Sequence, residues 1–154
     1  MSIYYGLLHQ RLHYCISCWG GSNNKSLAQL EVPQGKAIRN IEKVHYMSST
    51  SPIFKNHKIL KLKEIYTFQI SKIMYKIDRK QWLGKFNLIK TNQIHSHNTR
   101  AADAGNFFIN SNKIKNSSIA KVGPKIWFLI PNETKKSSFN TFKKAIKNQI
   151  FSAY

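Results

Sequence analysis

Apolar residues recur along this chain mostly at steps of three and four, the period of helices packed on one face. Tyr4, Leu7, Leu8, Leu12, Cys15 and Trp19 follow that spacing and predict an amphipathic helix over residues 3–19. Gly20-Gly21 and the polar Ser22-Asn23-Asn24 stop it. A second helix is predicted over residues 26–41, with Leu27, Leu30, Ala37, Ile38 and Ile41 on one face. Pro33 and Gly35 fall inside it, costing about 3 and 1 kcal/mol against Ala in a regular helix. A break near Val32, or a fresh start at Pro33, is therefore expected.

Residues 45–58 read as a polar connection with a short turn over 51–57. Leu62, Ile65, Tyr66, Ile70, Ile73, Met74 and Ile77 then form the cleanest helical stripe of the sequence, predicting a helix over 63–79 with Lys63, Lys72, Lys76 and Arg79 turned away. The period is lost over residues 87–116. Residues 107–109 and 118–122 can pair as a hairpin around the polar stretch 110–116. Gly123-Pro124 places Pro at the start of a short helix over 125–130, with Trp127 anchoring the core and Pro131 ending the helix. Ser137 or Ser138 caps a last helix, with Phe139, Phe142, Ile146 and Ile150 inward and Lys143, Lys144 and Lys147 outward. The expected fold is mainly α: amphipathic helices with irregular connections and at most one small β-hairpin.

Charge changes this picture from a generic helical fold to a partner-seeking one. The 154 residues carry 25 Lys+Arg against 6 Asp+Glu, a net charge of +19. Residues 1–50 hold 5 basic and 2 acidic groups, residues 51–100 hold 11 and 2, and residues 101–154 hold 9 and 2. AT-rich coding would account for frequent Lys, Ile and Asn but not for scarce Asp and Glu. The excess points to a polyanionic partner facing the last two thirds of the chain. Arg occurs only at 11, 39, 79 and 100, and Lys, a point charge without a bidentate fork, suits backbone attraction better than base reading. No apolar run approaches membrane-spanning length, and His9, Gln10, Arg11 and His13 interrupt the opening apolar residues too soon for a secretory signal. Two Cys without a signal imply a reducing, intracellular setting, nuclear or cytoplasmic, and no disulfide framework.

Catalytic chemistry finds little to work with. The six carboxylates are Asp78, Asp103, Glu31, Glu42, Glu64 and Glu133, and no two are adjacent in sequence, so no pair is set to hold two metal ions. His9, His13, Cys15 and Cys18 have zinc-like spacing, yet four ligands so close on one helix do not close a tetrahedron. Packing is the expected role of both Cys, with no metal and no cofactor. A Cys–His nucleophile lacks a recognisable oxyanion loop, and Gly20-Gly21 lacks the spacing of a phosphate cradle. The block His95-Ser96-His97-Asn98-Thr99-Arg100 is different, with six hydrogen-bonding side chains in a row and the last Arg of the chain. Two readings stay open: His95, His97, Asn98, Thr99 and Arg100 grip phosphates, or Asn98, Thr99 and Arg100 pin a loop by bonding its carbonyls. Lys113, Lys115, Lys121 and Lys125 surround the Gly-Pro-Lys-Ile-Trp turn and complete the candidate nucleic-acid contacts.

Four blocks in fixed order carry a resemblance: LHYCISCWGG (12–21), QGKAIRNI (34–41), IHSHNTRAA (94–102) and SIAKVGPKIWFLIP (118–131). Together they resemble the region after the polymerase palm in reverse transcriptases of non-LTR, LINE-like, jockey-type retrotransposons, over residues 4–150. The resemblance implies a thumb-like helical segment over 1–44 and a post-thumb basic domain over 45–154. It places the polymerase aspartates upstream of Met1, so that the chain is a fragment of an RNA-directed DNA polymerase with no catalysis of its own. Its implied residual function is sequence-independent binding of RNA or an RNA–DNA duplex, without membrane attachment. Pro33, Gly35 and Phe128, where the family tends to have other residues, fit a truncated or decayed copy. A domesticated basic RNA-binding protein and an inert product of a decayed element are the alternatives. The first helix, without a palm beside it, is expected to leave some of Tyr4, Leu7, Leu8 and Trp19 exposed.

Overall fold

In the computed structural model the described residues are 2–22, 24–82, 88–94, 106–108 and 119–153. They are mainly α-helical, with eight α-helices and no strand longer than an isolated bridge among them. The helices are α1 (Gln10–His13), α2 (Ile16–Trp19), α3 (Asn24–Glu42), α4 (Ser51–Asn56), α5 (Leu62–Asp78), α6 (Ile119–Phe128), α7 (Asn132–Lys136) and α8 (Phe139–Ser152). The chain divides into two compact units, one of residues 1–67 with 149–154 and one of residues 68–148.

In the first unit the helix expected over residues 3–19 is interrupted. Tyr4–His9 is π-helical, and its wider turn moves the following side chains off the α period, so Tyr4 is fully buried while Leu7 is 64% exposed. Tyr14 is then extended (ψ 118°) and Cys15 is left-handed (φ 48°), and this kink separates α1 from α2. The redirected chain buries Ile16 and brings Gly20 against the Tyr66 ring, where a side chain would collide. Trp19 closes the kink by donating from Nε1 to the Tyr14 carbonyl at 2.7 Å.

Helix α3 runs unbroken through Pro33, against the expected break. Pro33 and Gln29, the residue whose carbonyl loses its donor, both lie on the exposed side, where water can replace the missing bond. On the buried side the anchor is Gln34 rather than the expected Leu30, which is 40% exposed. Gln34 is 2% exposed and donates from Nε2 to the Tyr4 hydroxyl (2.9 Å) and the Leu60 carbonyl (3.0 Å), while its Oε1 accepts from the Leu62 N–H (3.1 Å). One side chain thus ties the π-helical turn, α3 and the start of α5. The expected turn at 51–57 is instead helix α4, which sends Phe54 into a cluster with Tyr4, Ile38 and Ile59. Helices α3, α4 and α5 close alike, with Lys43, Lys58 and Lys80 left-handed and N–H groups one residue on bonding back to Arg39, Phe54 and Lys76 carbonyls.

Helix α5 matches its predicted span within a residue, and Leu62, Ile65, Tyr66, Ile70, Ile73 and Met74 are all buried. Phe68, Ser71 and Tyr75 are buried too, so the covered face is wider than the stripe. In the second unit Trp127, Phe142 and Ile146 fill the core as expected, and Ser138 caps α8 by accepting from the Thr141 N–H. The Gly123-Pro124 pair does not start a helix; it lies within α6, which begins at Ile119. Gly123 is the close-approach point of that helix, since a Cβ there would stand 2.5 Å from the Met74 Sδ. Because residues 119–122 are helical, they cannot supply the expected hairpin strand; Phe107 instead makes an antiparallel bridge with Lys90.

Candidate nucleic-acid interface

Of the nine residues expected to touch nucleic acid, His95, His97, Asn98, Thr99, Arg100, Lys113 and Lys115 lie outside the described residues. Lys121 and Lys125 are on α6, four residues apart and so on one side of the helix, half-buried and exposed respectively. Lys125 stands at the rim of a groove of about 470 Å³ lined also by Thr91, Phe107 and Phe128.

A denser cationic surface lies on α5 and α8, within residues 68–148. Each helix carries the same pattern, Phe-x3-Lys-x3-Lys, as Phe68, Lys72, Lys76 and as Phe139, Lys143, Lys147. The steps of four keep each trio on one helix face. Lys72 and Lys147 hold their ammonium groups 4.9 and 5.5 Å from the Phe68 ring centre, and Lys143 and Lys76 hold theirs 4.8 and 5.8 Å from that of Phe139. Every ring therefore receives one lysine from its own helix and one from the facing helix. That crossing is possible only if the two stripes run antiparallel, with Phe68 beside Lys147 and Phe139 beside Lys76. Burial, and then the neighbouring Lys143, Lys76 and Lys147, push the Lys72 amine below its ordinary value. The outward position expected for Lys72 is thus only half right, because the side chain is half-buried among like charges.

Among the described residues no carboxylate neutralises the four. Glu31 pairs with Lys63 (3.7 Å), Asp78 pairs with Lys90 (2.8 Å), and Glu42 lies 3.1 Å from His57 Nε2. Glu64 accepts from the Lys61 backbone N–H at 2.7 Å. A cleft of about 360 Å³ in the first unit has both Lys61 and Lys63 facing Glu31 and Glu64, which leaves it without an excess of either sign.

Other cations are used structurally. Lys135 is 7% exposed, reaches Asn106 Oδ1 at 3.2 Å and lies 5.5 Å from the Trp127 ring centre. Burial pushes its amine down, and Asp78 partly restores it. Arg79 stacks on Tyr75 and donates to the carbonyls of Lys136 and Ser137 at 3.1 and 3.2 Å, closing the end of α7.

The packing role expected for the two cysteines is not seen, since Cys15 and Cys18 are both exposed. The kink at Tyr14-Cys15 turns them off the buried face. His9 and His13 hold their ring centres 4.2 Å apart with the planes tilted by 52°. Among the described residues no three His, Cys, Asp or Glu side chains are grouped to hold a metal ion, and no helix is long and apolar enough to cross a membrane. In sequence the α5/α8 lysines read only as outward residues; the repeated Phe-x3-Lys-x3-Lys spacing is the signal that marks them. No family model, curated protein or solved structure matches the chain.

Proposed function

We propose that this chain binds the phosphate backbone of RNA or DNA without sequence preference, as a non-catalytic piece of a non-LTR-type reverse transcriptase. The observation that carries this reading is the uncompensated charge of residues 51–154, where 20 basic groups face 4 acidic ones. The phosphodiester backbone of a nucleic acid is the partner whose charge density such an excess complements. The four resembling blocks support the ancestry, and the isolation of every carboxylate in the sequence supports the absence of catalysis.

Filter retention of the full chain on unrelated RNA and DNA sequences across a salt series tests it. Affinity falls steeply and linearly on a log–log salt plot and varies little between sequences. Absence of binding at about 50 mM salt, a range where backbone contacts are strong, would favour the inert-product reading instead. The two readings of the His95–Arg100 block separate on Arg100→Ala. A phosphate contact reduces the salt slope by about 0.7–0.9 and leaves stability alone; a loop pin lowers Tm and leaves the slope alone.

A further inference from the structure

The geometry points to the Phe–Lys ladder of α5 and α8 as a phosphodiester-binding track, on which Lys72, Lys76, Lys143 and Lys147 straddle successive phosphates of one nucleic-acid strand. It rests on the proposed backbone-binding function and names a place for it that the sequence motifs do not contain. Because the stripes are antiparallel, the rungs run from Phe68 beside Lys147, through Lys72 beside Lys143, to Lys76 beside Phe139. Three rungs at four-residue spacing extend about 12 Å along the helices. One strand of a duplex advances about 3.4 Å along the duplex axis per phosphate, so a ladder laid along that axis spans three to four phosphates with four ammonium groups.

Three observations favour this occupant. The lysines have no carboxylate partner among the described residues, so an incoming anion meets unpaired charge. Lys72 is held half-buried among Lys143, Lys76 and Lys147, a repulsion that an anionic polymer relieves and that the free protein does not. Neither ring stands free as bait: Phe68 is 6% exposed beneath its two lysines, and Phe139 is half-buried. A membrane-surface site would instead present apolar side chains for insertion among lipids. Lysines without an arginine fork give attraction and spacing but no base reading.

The test compares the full chain with the variant Lys72→Gln, Lys76→Gln, Lys143→Gln, Lys147→Gln. A second variant, Arg11→Gln, Lys25→Gln, Lys36→Gln, Lys43→Gln, removes the same charge from exposed sites outside residues 51–154. Affinity for a short mixed-sequence DNA duplex is measured against salt. Loss of three to four contacts to a duplex reduces the log–log slope by about 2.7 to 3.6 in the ladder variant and leaves it nearly unchanged in the control. The duplex raises Tm of the wild type more than that of the ladder variant, each measured against its own free form. Equal slope losses in both variants would overturn the ladder as a site while leaving general backbone binding intact. An unchanged slope in the ladder variant would do the same. Failure of the wild type to bind any nucleic acid would overturn the functional reading beneath it. Wild-type binding to vesicles containing phosphatidylserine, lost in the ladder variant while duplex binding is kept, would assign the patch to a membrane surface instead.

Discussion

Gln34→Ala is expected to be the most damaging single substitution in the first unit. Gln34 is 2% exposed, and its amide serves three groups: the Tyr4 hydroxyl, the Leu60 carbonyl and the Leu62 N–H. The Leu62 N–H opens α5 and has no acceptor inside its own helix. Tyr4 is fully buried, so its hydroxyl cannot turn to water. Each buried polar group stripped of its partner costs about 1–3 kcal/mol, so three of them set the expected loss at about 3 kcal/mol or more. That is a large part of the 5–15 kcal/mol typical of a folded domain. Tyr4→Phe removes a single bond and strips one Gln34 N–H of its acceptor while the other keeps the Leu60 carbonyl, so it costs about 1–2 kcal/mol. Urea denaturation followed by far-UV circular dichroism measures both, and the double variant completes a cycle. With Gln34 already gone, the Tyr4 hydroxyl is an orphan, so Tyr4→Phe in that background becomes neutral or stabilising. A loss below about 1 kcal/mol for Gln34→Ala, or an equal cost of Tyr4→Phe in both backgrounds, would refute the bridging role.

The same tyrosine predicts an alkaline limb. Burial raises Tyr4 above 10.0, the Gln34 bond partly lowers it and Tyr5 raises it again. Stability held by the protonated phenol is complete below pH 10 and is lost as pH climbs through the higher folded value, so Tyr4→Phe flattens the decline of Tm above pH 10, with buried Tyr66 keeping the remainder. Gly123→Ala gains about 1 kcal/mol of helix propensity, but its Cβ meets Met74 Sδ at 2.5 Å, and a net loss of about 1–3 kcal/mol is expected. Combining it with Met74→Ala costs less than the sum of the two single changes; strict additivity in denaturation would show that the two helices do not meet there. Cys15→Gly, at an exposed left-handed position (φ 48°), should raise stability by about 0.5–1 kcal/mol, and a drop in Tm would mean the kink is not adopted in solution.

Part of the candidate site is legible in the residues alone. The charge excess and its bias toward residues 51–154 are sums over the chain and need no coordinates. The α6 lysines at 121 and 125 stand out because they lie beside and within the Gly-Pro-Lys-Ile-Trp motif. Lys72, Lys76, Lys143 and Lys147 read as outward positions of two separate helices, and nothing local says that those faces are shared. Their meeting depends on an antiparallel packing between segments more than sixty residues apart, which periodicity cannot encode. Lys135 shows the reverse failure, since a lysine in a polar run reads as solvated and is instead capped by Asn106 and Trp127.

Features with a short-ranged cause could be read directly from residue order. The span of α5 follows from seven apolar residues at helical spacing, and α8 follows from a capping Ser138 ahead of Phe142 and Ile146. Both are set by contacts within a turn or two, and a free segment would carry the same preference. The remaining features answer to long-range packing. Local rules break a helix at Pro33, yet α3 continues because Gln34 is held from three sides and the lost bond lies toward water. Local rules start a helix at Pro124, yet α6 begins at Ile119, with Gly123 set at the point where Met74 closes in. Local rules continue the first helix through Cys15, yet burying Ile16 and seating Gly20 on Tyr66 requires a kink. In each case a local cost on the order of one to three kcal/mol is outweighed by buried contacts that distant parts of the chain supply.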